Sequence, residues 1–402
     1  MHILLIHQAF AALDEAGGTR HHELARFLVK RGHQVTIIAS PVSYLTGKEN
    51  GQKNHRPPEP GITILRAYTY TALHRSFVHR VFSFLSFMLS SFFLGLRVRN
   101  VDLVWGTSPP IFQGVTAWLL ARLKGTPFLF EVRDLWPAFA IAVGVLRNKL
   151  LISCSLWLEG FLYRRADCVM VNSPGYIDHV RQHGARQVVL VQNGADPQMF
   201  DPAVDGHNFR GEHNLQDKFI VLYAGAHGMS NDLGVVLQAA DLLRNEPGIQ
   251  LVLIGDGKEK PALQARAKAM NLPNLMFVPP AVKDEMPAIL AAADACIAIL
   301  KPIDLYKTTY PNKVFDYMAA GRPVVLAIDG VIRQVVEAAG AGIFVQPGDP
   351  QDMARAIQVL SLEPQKARQM GLSGRSYMEK HFSRAESAEK LALLLENMGR
   401  EK

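Results

Sequence analysis

The amino-acid sequence predicts an α/β fold of two doubly wound, Rossmann-like domains that face each other across a cleft. At 402 residues the chain is long for a single domain. Its composition, with 49% hydrophobic and 20% charged residues, is that of an ordinary globular protein. Short apolar runs recur along both halves with helical stretches between them. Continuous rather than alternating apolar runs are typical of parallel strands that are buried on both faces.

The predicted strands fall into two groups. Those of the first half are residues 2–7, 34–40, 62–67, 102–107, 127–132, 168–173 and 188–193. Those of the second half are residues 219–225, 250–255, 275–279, 295–300, 323–328 and 342–346. A segment rich in turn-forming and polar residues, near 195–215, separates the groups. The sequence therefore predicts domains at 1–196 and 212–372, with ligands at the carboxyl ends of the strands.

The three cysteines and the first residues indicate a reduced, cytoplasmic protein. Cys154, Cys168 and Cys296 lie far apart and match no zinc, haem or disulfide spacing. The first seven residues are too short and too uncharged for a signal peptide, and they predict a buried strand instead.

Charge is distributed unevenly along the chain. Residues 1–200 carry 21 lysine and arginine residues against 12 aspartate and glutamate residues, whereas the remainder carries 22 against 24. A basic first half favours an anionic partner. Nucleic acid is not expected to be that partner, because the sequence has no recognisable nucleic-acid-binding module.

An apolar stretch at residues 77–96 has two interpretations. No charge occurs from 81 to 96, which is shorter than the ~18–20 residues that a spanning helix needs. The stretch is either an ordinary helix packed on the sheet or a helix lying on the inner face of the cell membrane. Residues 60–101 contain five arginines and no acidic residue, and anionic lipids attract such a segment by about 1 kcal/mol per basic residue. We therefore expect a peripheral membrane contact through residues 75–99.

The most informative segment of the second half is residues 306–325. Pro311 is predicted to open a helix, which leaves the N–H groups of Asn312, Lys313 and Val314 free at its positive end. Asp316 lies one and a half turns further along, where its carboxylate could accept the two hydroxyls of a ribose. A diphosphate at the helix start and a ribose at Asp316 together describe a nucleoside diphosphate.

At these residues the chain resembles the family 4 retaining glycosyltransferases (glycosyl transferases group 1), which have the GT-B fold. Their hallmark is an acidic residue, seven others, a second acidic residue, Ala-Met-Ala and Gly-x-Pro-Val-Val. Residues 17–35 resemble the family's first glycine loop, and 101–110 and 130–137 resemble its bacterial surface-polysaccharide branch of fucosaminyltransferase-like enzymes. Residues 166–173 and 191–196 complete the family pattern in the correct order.

The resemblance implies a first domain that binds the acceptor and a second that binds the nucleotide sugar. It also implies that helices within 373–402 pack back toward the first domain. The packing residues would be Tyr377, Phe382, Leu391, Leu394 and Leu395.

Several positions depart from the family pattern. Thr308 stands at the first acidic position of the hallmark, and Ala226 and Asp232 stand where the family has its diphosphate-binding Arg and Lys. Recognition of the sugar at Thr308 must therefore differ. The candidate replacement cations are His227, Lys258, Lys301, Lys307 and Lys313. Lys313 and Lys307 are favoured because they lie near the predicted helix start. The resemblance also assigns Gly225 to the donor site.

In the first half, Gly17 and Gly18 follow the first strand and are predicted to bind the donor, because a backbone without Cβ can approach a phosphate closely. The resemblance places Asp134 near the acceptor hydroxyl and the transferred sugar, beside Arg133, Thr107 and Ser108. It also implies retention of configuration, by a front-face departure in which the diphosphate oxygen takes the acceptor proton. Asp134 and Lys313 are the predicted catalytic residues. No Asp-x-Asp metal clasp occurs, so neither a metal nor another cofactor is expected.

The function predicted from these features is transfer of a sugar, from a UDP-sugar by preference, to a polyprenyl-diphosphate-linked acceptor in surface polysaccharide biosynthesis. Two alternatives remain open, a nucleotide-sugar epimerase of the same architecture and a non-catalytic nucleotide-sugar-binding subunit. A nicotinamide dehydrogenase is disfavoured because no complete Gly-x-Gly-x-x-Gly follows a strand.

Overall fold

The computed structural model describes residues 1–43, 46–47, 49, 59–71, 77–201 and 203–400. Arg75, part of the predicted membrane segment, and residues 401–402 lie outside the described residues. The chain forms two compact units, one of residues 1–192 with 385–402 and one of residues 193–384.

The first unit is a parallel sheet covered by helices. Its elements are β1 (His2–Ile6), α1 (Arg20–Lys30), β2 (Gln34–Ala39), β3 (Ile62–Arg66), α2 (Phe77–Arg97), β4 (Leu103–Ser108), α3 (Phe112–Lys124), β5 (Phe128–Val132), α4 (Ala138–Ala142), α5 (Lys149–Arg165), β6 (Cys168–Val171), α6 (Ile177–Gln182) and β7 (Val188–Leu190). The strands lie in the order β3-β2-β1-β4-β5-β6-β7, and every pair is parallel. The strand order reverses between β1 and β4.

The second unit repeats this plan. Its elements are α7 (His207–Glu212), β8 (Phe219–Ala224), α8 (Leu233–Leu242), β9 (Ile249–Ile254), α9 (Lys260–Ala269), β10 (Leu275–Val278), α10 (Met286–Ala292), β11 (Ala295–Ile299), α11 (Asn312–Ala319), β12 (Val324–Ala327), α12 (Val331–Ala338), β13 (Gly342–Phe344), α13 (Pro350–Leu362) and α14 (Pro364–His381). The order is β10-β9-β8-β11-β12-β13, again parallel throughout. Here the strand order reverses between β8 and β11.

The thirteen observed strands coincide with the thirteen predicted apolar runs, so the predicted fold class is confirmed. The physical reason lies in burial. Central strands such as β4, β5, β9 and β11 are buried along their whole length. A strand covered on both faces needs apolar side chains at consecutive positions, so it can be recognised in the sequence as a continuous apolar run.

The last helix, α15 (Arg384–Arg400), returns the chain to the first unit. Leu391 and Leu395 are fully buried there, in one cluster with Ile3 and Leu24, and Leu394 packs against it. Tyr377 and Phe382, which were expected to join them, pack instead in the second unit around Phe315. The return to the first unit therefore begins at 385 rather than 373, because α14 already uses its apolar side in the second unit.

Helix α2 packs on α3 and leaves an apolar stripe exposed. Thr116 donates a hydrogen bond to the Met88 carbonyl at 2.9 Å, and Ser83 and Ser91 are buried. The serine side thus faces the protein rather than solvent. The Ser86 and Ser91 hydroxyls donate to carbonyls of their own helix. The exposed side chains are Val78, Phe82, Leu89, Phe93 and Leu96.

Candidate functional site

Two strand ends in each unit lie beside a reversal of strand order. In open parallel sheets, ligands bind outside the carboxyl ends of such strands, where the loops diverge. In the second unit these are the loops after β8 and β11, and in the first unit the loops after β1 and β4. Most of the predicted site residues belong to these loops or to the helices that follow them.

A partly buried lysine of α11, Lys313, lies against the turn after β8. The backbone of Gly225 has φ +149°, and a Cβ there would lie 2.8 Å from the Lys313 Nζ, so a side chain would displace the ammonium group. Lys313 Nζ donates to the Tyr223 hydroxyl at 2.8 Å and lies 4.0 Å from the centroid of that ring. Burial, the only cause, lowers the pKa of Lys313 to about 7.

His227 adjoins the same turn. Its side chain is fully buried, and neither ring nitrogen makes a hydrogen bond within the described ranges. Burial, with Lys260 and Lys313 close by, lowers its pKa to about 4. His227 is therefore neutral at pH 7 and presents a polar atom rather than a charge. Lys260, which no sequence motif indicates, donates to the carbonyls of Gly255 at 2.6 Å and Val278 at 3.2 Å.

Helix α11 begins at Asn312, one residue after the predicted start at Pro311. The Val314 amide is not free as predicted, because it donates to the Pro311 carbonyl at 3.1 Å. The Asn312 side chain accepts a hydrogen bond from Arg384 at 2.9 Å. The anion-binding groups at this helix start are thus reduced to the first two amides and the Lys313 ammonium.

Asp316 has a partner that the sequence did not reveal. Its Oδ2 accepts a hydrogen bond from Lys283 Nζ at 2.7 Å, and both side chains are less than one-fifth exposed. Lys283 also lies 4.7 Å from the centroid of the Phe200 ring. A ribose hydroxyl at Asp316 would therefore meet a carboxylate already held in place by a cation.

Lys307 and Thr308 differ from the prediction. Lys307 is half exposed and paired with Asp304 at 2.8 Å, which raises its pKa. Lys307 thus pairs within its own loop, whereas Lys313 has no carboxylate partner among the described residues. The Thr308 hydroxyl donates to the Leu305 carbonyl at 2.6 Å. Of the other candidate cations, Lys258 is exposed. Burial raises the pKa of Asp232, and Lys301 nearby opposes that shift.

In the first unit, the loop after β1 carries the two predicted glycines. Gly17 has φ +151°, and a Cβ there would lie 2.9 Å from the Ala11 Cβ. Gly18 has open space around its Cα among the described residues, so nothing in the first unit itself demands glycine there. Helix α1 begins two residues later at Arg20, which places both exposed glycines at its positive end.

Beneath this loop lies a buried cluster of charged and polar side chains from distant parts of the chain. Arg20 is ion-paired with Glu131, and both His21, at 2.6 Å, and the Trp105 indole, at 3.1 Å, are hydrogen-bonded to the same carboxylate. Burial would raise the pKa of Glu131, but Arg20 and His21 outweigh it and lower that pKa. Burial lowers the pKa of His21 to about 4, so His21 is a neutral donor at pH 7. The cluster fixes α1 against β5.

His7 extends this cluster to the end of β1. Its ring centroid lies 4.2 Å from that of His21, and neither of its buried ring nitrogens has a hydrogen-bond partner in the described part of the chain. Burial, with Arg133 and His21 nearby, lowers its pKa well below the usual value. A histidine next to an apolar run gives no distinctive sequence signal, and only the fold shows that His7 ends at the strand reversal.

The predicted acceptor residues gather after β4 and β5. Arg133 donates to the Pro109 carbonyl at 2.8 Å, and its amide donates to the Ser108 carbonyl at 3.0 Å. Thr107 accepts a hydrogen bond from Gln113 at 2.9 Å. Ser108 is buried at the strand end. Arg133, Thr107 and Ser108 thus shape the loop in this structure.

Asp134 differs from these neighbours in its charge state. Burial raises its pKa to about 6, with Arg133 opposing the shift. The carboxylate is ionised at pH 7 and close to the range in which it can accept a proton. In neither loop region do the described residues form a group of three potential metal ligands.

The fold and the family matches together define the chain as a glycosyltransferase of the GT-B type. The model described as "Glycosyl transferase 4-like domain" matches residues 16–194, and that described as "Glycosyl transferases group 1" matches residues 218–362.

Among known proteins, the chain is similar to WcaI of Escherichia coli (strain K12), whose name describes a glycosyl transferase of colanic acid biosynthesis. The two are 25% identical over 358 residues, 85% of this chain and 88% of WcaI. Two solved structures share the fold. Sucrose-phosphate synthase from Thermosynechococcus elongatus has a TM-score of 0.78 at 19% identity and full coverage of both chains. Anabaena Alr3699/HepE in complex with UDP and glucose has a TM-score of 0.74 at 16% identity, and the match covers 99% of this chain and 100% of that chain.

Proposed function

We propose that this glycosyltransferase moves a sugar, with retention, from a nucleoside-diphosphate sugar to a lipid-linked glycan acceptor in surface polysaccharide biosynthesis. The observation that carries the proposal is the partly buried Lys313 at the β8–β11 strand reversal, whose only hydrogen bond among the described residues is to Tyr223. A buried ammonium group without a counter-ion is costly, and a bound anion relieves that cost. A diphosphate is the anion that also meets the first amides of α11.

Asp316 supports the assignment of the nucleoside part of the donor. This carboxylate lies on α11, one turn beyond Lys313 on the same helix, and Lys283 holds one of its oxygens. Such a carboxylate suits the two hydroxyls of a ribose. UDP is the favoured carrier, since Anabaena HepE, which has the same fold, has been crystallised in complex with UDP.

The chemistry that these groups support is charge stabilisation rather than covalent catalysis. As the donor bond breaks, negative charge grows on the diphosphate, where Lys313 and the helix start can stabilise it. The departing oxygen then takes the acceptor proton on the same face, and Asp134 accepts a hydrogen bond from the acceptor hydroxyl before transfer. Because Lys313 supplies the positive charge, the proposed reaction uses no metal ion.

A membrane-bound acceptor is supported by the apolar stripe of α2. By length and composition alone, Val78–Arg97 is the one helix in the described ranges that could cross a membrane, a criterion that a packed core helix also meets. We propose that α2 instead lies on the inner face of the cell membrane. Arg97 and Arg99 at its end are exposed and suit anionic headgroups. The protein is accordingly proposed to be cytoplasmic and peripheral.

The first experiment is a thermal-shift panel of UDP, GDP, ADP and NAD on the wild type. Ligand at 100 times its dissociation constant adds about 2.7 kcal/mol of stability. Stabilisation by one nucleoside diphosphate supports the donor assignment and identifies the base, whereas stabilisation by NAD alone contradicts it. The matching UDP-sugars are then incubated with and without membrane extract. Transfer to lipid supports the proposal, and formation of an epimer without acceptor indicates the epimerase alternative.

A further inference from the structure

A second group of functional side chains lies in the first unit between α5 and α6. Glu159 belongs to α5, His179 to α6, and His183 directly follows α6. One ligand atom from each of these residues lies within 4.8 Å of the others, and no other such group of three occurs in the residues that the structure describes.

The carboxylate of Glu159 is only half satisfied. Its Oε1 accepts a hydrogen bond from the Tyr163 hydroxyl at 2.9 Å and lies 2.9 Å from the Nε2 of His179. The Glu159 side chain is fully buried, and its Oε2 has no hydrogen-bond partner among the described side chains and backbone groups. A carboxylate in that position needs positive charge or further donors at both oxygens. Its free oxygen is an independent indication that a ligand belongs here.

The two imidazoles are arranged to supply nitrogen ligands. The Nδ1 of His183 lies 2.8 Å from the His179 carbonyl oxygen, so it donates there and Nε2 carries the lone pair. A second nitrogen bonded to a backbone carbonyl is the usual support of a metal-bound histidine. The two rings stack with centroids 4.1 Å apart at 20°, a geometry that would be repulsive if both were protonated.

We propose that Glu159, His179 and His183 bind one divalent transition-metal ion, with Zn²⁺ as the expected occupant. Two imidazole nitrogens and one carboxylate oxygen suit zinc and its first-row neighbours, whereas Mg²⁺ and Ca²⁺ prefer oxygen ligands. A water molecule would complete the tetrahedron, since both histidines are partly exposed.

This ion would be structural and would take no part in sugar transfer. Tyr176, immediately before α6, packs against Phe139 of α4 with ring centroids 6.1 Å apart, and α4 follows the Asp134 loop. Linking α5 to α6 would therefore hold the segment that supports this loop. The inference does not depend on the proposed function.

The test uses the full chain, stripped with chelator and titrated with ZnSO₄ or CoCl₂ by calorimetry, absorption spectroscopy and thermal shift. We expect one equivalent of Zn²⁺ per chain, a higher Tm and Co²⁺ absorption bands of a four-coordinate nitrogen–oxygen site, with no shift from MgCl₂. His183→Ala and Glu159→Gln should each weaken Zn²⁺ binding at least tenfold.

The matched control is His207→Ala, which removes an exposed histidine that pairs with Asp205 outside the cluster. It should leave Zn²⁺ affinity unchanged. If His183→Ala does not fold, His183→Gln gives the same comparison in a side chain of similar size. Absence of a stoichiometric Zn²⁺ site in the wild type, or equal loss in the His207 control, overturns the proposal.

Discussion

The Lys313 ammonium group lies 2.8 Å from the Tyr223 hydroxyl, and the Tyr223 hydroxyl in turn donates to the Ala226 carbonyl at 2.7 Å. Tyr223 thereby orients the ammonium toward the turn at Gly225 without neutralising its charge. The fold thereby brings the Lys313 side chain of α11 to the turn that contains Ala226.

Substitution of Lys313 by methionine should weaken UDP binding by about 10- to 100-fold, since a hydrogen bond to a charged group contributes about 1.5–3 kcal/mol. The affinity for uridine, which lacks the diphosphate, should change little in the same variant. Isothermal titration with both ligands measures the difference. Lys307→Met is the matched control, because that lysine is exposed and paired with Asp304. An equal effect of the two substitutions would contradict the assignment of Lys313.

UDP binding should also weaken as pH rises through about 7 in the wild type. Burial lowers the pKa of Lys313 to about 7, so the free protein loses this charge above that pH, whereas the bound diphosphate favours the charged form. The arginine of the Lys313→Arg variant stays charged between pH 6 and 9, so the UDP affinity of this variant should change little with pH in that range. A wild-type affinity that does not change over this range would count against Lys313.

The same lowered pKa predicts a stability effect with a defined sign. Between about pH 7 and the unfolded pKa of about 10.4, the unfolded state binds more protons at Lys313 than the folded state does. The contribution of Lys313 to the free energy of unfolding therefore rises with pH in this window. Without ligand, Lys313→Met should have a higher Tm than the wild type at pH 7, and the difference should shrink toward pH 9. Lower stability of the variant would contradict the burial argument.

Asp316→Ala should lower both stability and nucleotide binding, because it leaves Lys283 buried without its partner. The double variant Asp316→Ala with Lys283→Met should recover most of the stability but none of the ribose recognition. Chemical denaturation and UDP titration of the wild type and the two variants separate the two roles. Recovery of UDP binding in the double variant would show that Asp316 acts only through Lys283.

Asp134→Asn should lower kcat by about 10- to 100-fold with a smaller change in KM, because the acceptor hydroxyl loses a hydrogen bond to a charged group, which contributes about 1.5–3 kcal/mol. Burial raises the pKa of Asp134 to about 6, so wild-type activity should fall as pH drops through about 6. The acidic limb should be absent from the residual activity of the variant. Measurement of kcat over pH 5–8 tests this, and an unchanged acidic limb would assign it to another group.

The apolar stripe of α2 gives a prediction about lipid binding. Phe82→Asp and Phe93→Asp should each reduce sedimentation with vesicles that contain phosphatidylglycerol, since both side chains are exposed. Leu362→Asp is the control, because Leu362 is 81% exposed on α13 of the second unit. Equal loss in the control, or no loss in either α2 variant, would contradict the proposed membrane contact.

The sequence by itself determined the fold class and the strands. Strands buried on both faces demand unbroken apolar runs, as at residues 219–224 and 295–299, and such runs are visible without coordinates. It also placed a helix start at Pro311 and a carboxylate at Asp316, since proline and a one-helix spacing are local signals.

Tertiary structure alone decided the surroundings of Lys313. Its ammonium group lies beside Tyr223, 90 positions away in the chain, without a carboxylate partner among the described side chains, whereas Lys307 pairs with Asp304 only three residues away. The Asp316–Lys283 pair and the Arg20–Glu131–His21 cluster join residues 33, 111 and 110 positions apart. Charge state depends on burial and on partners from distant parts of the chain, and no local pattern records either.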